Sequence, residues 1–236
     1  MRSMRLTTMA QAMETRLNNG HHQNLSHEDF IGLLVDDEFT ARKNRRLSRM
    51  IGRANFKPEG ACIENIKYDP VRGFQKKDIL QFTQTTWINN AQPVIIQGAT
   101  GTGKTYIAEA IALQVCKMGF PALKIRFPRL LEELKIQRGT GQFIKYQDKL
   151  AKVKVLVIDD FLMAPASEEN ISDLLEILED RSGAAPTIIT TQYPIKKWHV
   201  LLKEPTFADA ICDRLVQSAI IFNLMGESRR KKPKSS

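Results

Sequence analysis

No stretch of the chain is apolar over the roughly 20 residues that a bilayer-spanning helix needs, and the amino terminus lacks the apolar core of about 7–15 residues that marks a secretory signal. A membrane-embedded or exported protein is therefore not expected, and the sequence reads as cytoplasmic. Cysteine is scarce. Cys62, Cys116 and Cys212 lie far apart with no C-x-x-C pair, which argues against a disulfide or zinc framework and fits inert, reduced thiols. His21, His22 and His27 lack ligand-type partners and read as surface residues. Nothing has the form of a helix-turn-helix or a zinc finger, so sequence-specific reading of bases is not indicated. Internal repeats are absent, and the only biased stretch is the polar, basic tail from Ser228 to Ser236.

What is present is a chain of 236 residues, 42% apolar and 26% charged, which suits one globular domain with a small appendage and leaves enough apolar surface for a full core. Its formal net charge of +9 favours polyanionic partners, nucleic acid first among them, although charge bears on association and not on fold. Periodicity changes character near residue 60. Before it the pattern is helical, over about Leu6–Leu17 and again after Ser26, where Ser26-His27-Glu28-Asp29 has the form of a capping box. Residues 61–92, punctuated by Pro70 and Gly73, read as a linker and the entry into a second unit. From Pro93 onward, short β-branched runs (Val94–Gln97, Leu123–Phe127, Val153–Ile158, Thr187–Thr191 and Ala219–Leu224) alternate with helix-length segments (Thr105–Met118, Pro128–Arg138, Ser167–Arg181 and Thr206–Val216). That alternation predicts an α/β core over residues 93–228, five parallel strands with crossover helices on both faces. A helical unit over 1–60 precedes it and a basic tail over 229–236 follows.

Gly98-Ala99-Thr100-Gly101-Thr102-Gly103-Lys104-Thr105 satisfies G-x-x-x-x-G-K-[ST]. A predicted strand ends just before it and a predicted helix begins at Thr105, the context a phosphate-binding loop requires. The glycines let backbone N–H groups turn inward around phosphates, the helix N-terminus adds its positive dipole, Lys104 reaches the β- and γ-phosphates, and Thr105 ligates Mg²⁺. Tyr106, the next residue, joins this nucleotide-binding set. The expected cofactors are ATP and Mg²⁺.

Val155-Leu156-Val157-Ile158-Asp159-Asp160 is an apolar strand ending in two acids. In a parallel sheet that end lies beside the phosphate loop, so Asp159 is placed to hold Mg²⁺, directly or through water, and Asp160 to orient or deprotonate the attacking water. The plainer alternative has the pair capping the next segment. Thr187-Ile188-Ile189-Thr190-Thr191-Gln192 also leaves the core in polar residues, and either Thr191 or Gln192 can reach a γ-phosphate or the lytic water. A strand leaving for a turn at Tyr193-Pro194 would end the same way.

Between Ala41 and Lys57 there are seven basic residues and no acid. On a helix, Arg42, Arg45, Arg46, Arg49 and Arg53 share an arc of about 100°, with Leu47, Met50, Ile51 and Ala54 on the neighbouring arc. Five arginines on one face suit a row of phosphates and can grip duplex DNA without reading bases. The alternative is a solvated face paired with Asp36, Asp37 and Glu38.

Taken in order, the N-terminal helices, GATGTGKT, VLVIDD, TIITTQYP, AICDRL and GESRR give the chain a resemblance to the IstB-type transposition helper ATPases, relatives of the DnaC helicase loaders within the AAA+ class. Leu33-Leu34-Val35-Asp36-Asp37-Glu38, followed by Arg42 to Arg53, resembles the family's N-terminal helices, so the likeness covers nearly the whole chain. The phosphate loop and acidic strand are common to many NTPases; the TTQ-P, DRL and G-E-S-x-R segments are more particular. The resemblance implies that Gln192 is a sensor at a strand end, that Arg214 is an arginine finger inserted into a neighbouring subunit's site, and that Arg230 is a second phosphate sensor. The alternatives have Arg214 pairing with Asp213 or other acids on its own helix and Arg230 solvated in the tail. It further implies a homo-oligomer with shared ATP sites that assembles on duplex DNA, assists a cognate transposase in target selection and insertion, and hydrolyses ATP faster when assembled. Two departures stand out. Asp160 occupies a position where most AAA+ enzymes carry glutamate, and the short segment after Arg230 implies that the C-terminal helical lid is absent or much reduced. A DnaC-like helicase loader and a metabolic P-loop kinase are the competing readings.

Overall fold

The computed structural model describes residues 3–20, 25–57, 60–69 and 73–228. The chain divides into two compact units, Met1–Met50 and Ile51–Ser236, with the boundary inside a helix and ahead of the change in periodicity near residue 60.

In the first unit, helix α1 (Thr7–Asn18) pairs with α2 (His27–Arg53). α2 starts where Ser26 can cap it: the Ser26 hydroxyl accepts the Asp29 N–H at 3.1 Å and donates to the Asp29 carboxylate at 2.7 Å. Few apolar groups are buried here, Leu34 foremost, and a carboxylate does much of the joining. Glu38, only 4% exposed, accepts the Met9 N–H at 3.0 Å and the Arg42 Nε–H at 2.8 Å. The Arg42 guanidinium and then the Met9 N–H hold its carboxyl down at about 2. Arg16 and Asp37 form a second ion pair between the helices.

The second unit opens with a packed segment. Short helices α3 (Lys76–Leu80) and α4 (Thr86–Asn89) follow a 3₁₀ turn at Ile63–Asn65, and Ile79, Phe82, Trp87 and Ile88 are buried. The segment read from the sequence as a linker and the entry into the second unit thus has packed apolar side chains in its described parts, too widely spaced to show one period. Five strands then form one parallel sheet: β1 (Val94–Gly98), β2 (Ala122–Arg126), β3 (Val155–Phe161), β4 (Thr187–Thr191) and β5 (Ile220–Leu224), in the order β2-β3-β4-β1-β5. The path β1 to β2 runs one way across the sheet and every later step runs back. Right-handed crossovers therefore place α5 (Lys104–Lys117) on one face and α6 (Phe127–Gly139), α7 (Phe143–Ala151), α8 (Glu168–Arg181), α9 (Trp198–Leu202) and α10 (Pro205–Val216) on the other.

Side-chain parity follows the same division. Ile95, Leu156, Ile158 and Ile189 join Phe127, Leu130, Trp198 and Ile211 in a core on the five-helix face, while their strand neighbours Val94, Ile96, Val157 and Ile188 are equally buried but turned the other way. Phe161 extends that core, in edge contact with Phe127 (5.0 Å) and Trp198 (4.9 Å). α7 is not anticipated by the sequence reading. Among the described residues, no helix is long and apolar enough to cross a membrane, and all three cysteines are free, with burial pushing the Cys116 thiol up.

Candidate nucleotide site

The parallel sheet delivers the carboxyl ends of β1, β3 and β4 to one edge, and Lys104, Thr105, Asp159, Asp160 and Gln192 meet there. After β1 the chain turns through Gly101 (φ +83°) and Gly103 (φ +104°) before α5 begins at Lys104. These are left-handed conformations that favour glycine, and a Cβ at Gly101 would strike the Ser228 hydroxyl. Lys104 is 6% exposed, and its ammonium donates to the Gly98 and Ala99 carbonyls at 2.7 and 2.8 Å. The loop is therefore closed around its own lysine, which a phosphate must draw outward.

Thr105, in the first turn of α5, donates to Asp159 Oδ1 at 2.8 Å, and Thr190 of β4 donates to the same oxygen at 2.5 Å. Asp159 is 3% exposed, so two hydroxyls from neighbouring elements hold its carboxylate in place. β3 does not stop at the acids, as the sequence reading has it, but continues to Phe161 through a register shift against β4. Asp160 takes φ +57° at that irregularity, and its N–H donates to Thr190 Oγ1 at 3.0 Å. The bulge sends Asp159 into the interior and Asp160 to the cavity, where Arg126 Nη2 holds its carboxylate at 3.0 Å.

Gln192 Oε1 accepts the Thr100 hydroxyl at 2.8 Å, joining the end of β4 to the phosphate loop. Thr191 is wholly buried and turns away: its hydroxyl donates to the Phe161 carbonyl at 3.2 Å and accepts the Tyr193 N–H at 3.1 Å. Of the two candidates on that strand end, only Gln192 faces the cavity. That cavity has about 330 Å³ and is walled by Thr100, Gly101, Lys104, Thr105, Asp160 and Gln192 among others. A second, more apolar cavity of about 320 Å³ adjoins it, lined by Asn65, Ile66, Phe74, Ile107 and Leu224, and Tyr106 borders both. An elongated ligand with an anionic end and a flat apolar end fits the pair. The sequence reading missed Asn65, Ile66, Phe74 and Leu224, because three lie in or next to the segment taken for a linker and the fourth closes a strand; buried aromatics in that segment are the signal that points to them.

Thr105 and Asp159 are oxygen ligands of the type Mg²⁺ takes, and one hydroxyl plus one carboxylate suffices when phosphates complete the shell. No group of three or more His, Cys, Asp or Glu side chains able to hold a metal unaided exists among the described residues. The donor set fits a nucleotide-dependent ion and not a resident one.

Arg214 stands elsewhere. It lies in α10 and lines a cleft at the opposite, amino edge of the sheet with Pro93, Arg181 and Thr187. Its guanidinium pairs with Glu179 of α8 at 2.6 Å and donates to the Ala210 carbonyl at 2.9 Å, whereas Asp213 accepts from Gln217. Arg230 lies outside the described residues, although Ser228 rests against Gly101. The five helix arginines are all exposed, but not all are unengaged: Arg42 and Arg45 both bond Glu38, and Arg45 also donates to Thr8 of α1. Arg46, Arg49 and Arg53 continue the stripe along α2.

Comparison with known proteins agrees with this geometry. A family model, IstB-like ATP binding protein, matches residues 1–236. The chain is 37% identical over 229 residues to a protein of Sinorhizobium fredii assigned as insertion sequence ATP-binding protein y4pL, covering 97% of this chain and 93% of that one. It is 38% identical over 191 residues to the insertion sequence IS1162 ATP-binding protein assigned in Pseudomonas fluorescens, covering 81% and 83%. Among solved structures it is similar in fold to DnaI (TM-score 0.60, 21% identity, 73% of this chain and 96% of that one) and to DnaA of Aquifex aeolicus (TM-score 0.62, 15% identity, 73% and 52%). With the phosphate loop, the acid pair on the adjacent strand and a match over the full length in hand, the chain belongs to the IstB-like family of ATP-binding proteins found in insertion sequences, built on an α/β core with a P-loop.

Proposed function

We propose that this protein is an ATP-dependent DNA-binding ATPase that oligomerises on duplex DNA and assists the transposase of its insertion sequence in target selection and insertion. The observation that carries this reading is the placement of Arg214, which lines a cleft at the sheet edge opposite the phosphate cavity of its own chain. The arginine beside the phosphate cavity, Arg126, is already paired with Asp160, while Arg214 is held at the far edge of the same sheet by the half-exposed Glu179 carboxylate and the Ala210 carbonyl. An arginine fork laid against the γ-phosphate stabilises the charge that develops there during transfer. A neighbouring subunit's Arg214 supplies one, and hydrolysis then depends on assembly.

In this mechanism Lys104 leaves the Gly98 and Ala99 carbonyls for the β- and γ-phosphates. Thr105 and Asp159 would hold Mg²⁺, which would supply positive charge to the phosphates. Gln192 exchanges Thr100 for the γ-phosphate or the attacking water, and Asp160, drawn away from Arg126, orients that water. Each exchange replaces an internal hydrogen bond with one to the ligand. Arg46, Arg49 and Arg53, with Arg42 and Arg45 behind them, grip DNA phosphates without reading sequence.

The relatives' assignment to insertion sequences favours a transposition helper over a helicase loader, whose likeness here is one of fold, and the family match gives no support to a metabolic kinase. The test is the ATPase rate and particle size with and without duplex DNA. Turnover and mass that both rise with DNA support the reading; a monomer whose turnover ignores DNA overturns it.

A further inference from the structure

We infer that Lys57 is a phosphate-binding residue of the nucleotide site, carried on a strap that leads directly out of helix α2. The inference rests on the reading of this cavity as an ATP site and adds a contact that the loop pattern does not contain. Lys57 lines the phosphate cavity together with Thr100, Gly101, Asp160 and Gln192. Apart from Lys104 it is the only cationic residue among those that do. Its side chain is exposed, and no hydrogen bond or ion pair to it occurs among the described residues. Lys104, by contrast, already has two carbonyl partners. Among the described residues, Lys104 is thus committed to the loop and Arg126 to Asp160, while Lys57 at the rim is unengaged.

The strap that carries Lys57 is tethered on both sides. Ala54, the residue after α2, is fully buried, and its carbonyl accepts the Lys124 N–H of β2 at 2.8 Å. Asn55 then reverses the chain at φ +57°. On the far side the Gly60 N–H donates to the Lys57 carbonyl at 3.4 Å, and Ala61, 6% exposed, forms part of the same cavity wall. These contacts on its described neighbours place Lys57 at the cavity. An ammonium on a four-carbon stem is a compact charge that reorients to meet an anion.

The cavity walls assign the phosphate it meets. Lys57 lines the cavity with Asp160 and Gln192, the two residues the proposed mechanism gives to the terminal phosphate and its attacking water, and is assigned to that phosphate with them. Lys57 therefore reads ATP against ADP.

The experiment compares wild type, Lys57→Ala and Lys57→Arg for binding of a non-hydrolysable ATP analogue and of ADP. Hydrogen exchange over residues 54–61 is followed in parallel. In Lys57→Ala, analogue affinity is expected to fall about tenfold while ADP affinity changes less than twofold, as for the loss of one charge-assisted hydrogen bond. Lys57→Arg is expected to recover most of the loss. In wild type the analogue, and not ADP, slows exchange over the strap, and Lys57→Ala abolishes that difference. Equal analogue affinity in Lys57→Ala and wild type, or equal weakening of both nucleotides, overturns the inference. A wild type that binds neither nucleotide overturns instead the reading of the site itself.

Discussion

Two buried charges sit at opposite edges of the same sheet and are held in opposite ways. At the amino edge Arg181 of α8 is 1% exposed, and its guanidinium donates to the carbonyls of Leu150, Val153 and Pro186 at 2.6–2.8 Å and to Thr187 Oγ1 at 3.0 Å. Burial lowers its pKa to about 10, which leaves it charged at neutral pH. Its backbone partners are fixed, and it has nowhere to go. At the carboxyl edge Asp159 is as deeply buried, yet its partners are the hydroxyls of Thr105 and Thr190, which rotate. A buried charge tied to main-chain carbonyls joins elements; one tied to rotatable side chains beside a cavity is ready to change partner. Burial alone does not separate structure from function, and the chemistry of the partners does.

Arg214 is the sharpest test, because it lines the same cleft as Arg181 but is gripped only by Glu179 and one carbonyl. By the partner criterion it is free to move. Arg214→Ala is expected to leave ATP affinity within twofold of wild type and to lower DNA-stimulated turnover by about 10³-fold or more, the scale of an arginine finger. An equal loss of affinity and turnover would return Arg214 to a structural role beside Arg181. Arg181→Met reverses the pattern. Three carbonyls lose their donors, and a destabilisation of about 3 kcal/mol or more follows, seen as a melting temperature lower by on the order of 10 °C, with the remaining folded protein binding ATP normally. Asp159→Asn keeps the shape and one acceptor and removes the charge. It is expected to cut Mg²⁺-dependent turnover about a hundredfold with little change in melting temperature, and a large drop in melting temperature would mean that Asp159 is as structural as Arg181.

How much of this was legible in the sequence follows from the same distinction. The strand-and-helix alternation, the loop and the acid pair are local patterns, and the strands appear within a few residues of their expected places. The end of β4 leaves Thr191 and Gln192 as alternatives and the resemblance names Gln192; the pleat, which no local pattern shows, turns Gln192 toward the cavity and Thr191 away from it. The bulge that separates Asp159 from Asp160 has no sequence signature, as aspartate tolerates the left-handed conformation without requiring it. Arg181 and the apolar cavity were invisible because their partners are backbone groups or residues far apart in sequence. The arginine stripe was read correctly as a helix face, but charge counting could not show that Glu38, beneath it, takes up part of Arg42 and Arg45.

Glu38 extends the comparison to the first unit and gives the smallest expected effect. It is buried, like Arg181, but its partners are mixed: the fixed N–H of Met9 and the mobile, exposed guanidinia of Arg42 and Arg45. Its carboxyl, held at about 2 mainly by the Arg42 hydrogen bond and then by the Met9 N–H, is depressed from an ordinary value of 4.5. A depressed carboxyl contributes its stability in full above the ordinary value and loses it as pH falls from there through about 2. The α1–α2 pairing should therefore hold at pH 6 and loosen between about pH 4.5 and 2, read as faster exchange of the Met9 amide after correction for intrinsic rates. Glu38→Gln should show that faster exchange already at pH 6 and no further step on acidification. If the same substitution leaves exchange at Met9 unchanged but strengthens DNA binding, Glu38 acts chiefly to occupy Arg42 and Arg45, and its role lies with the mobile partners instead of the fixed one.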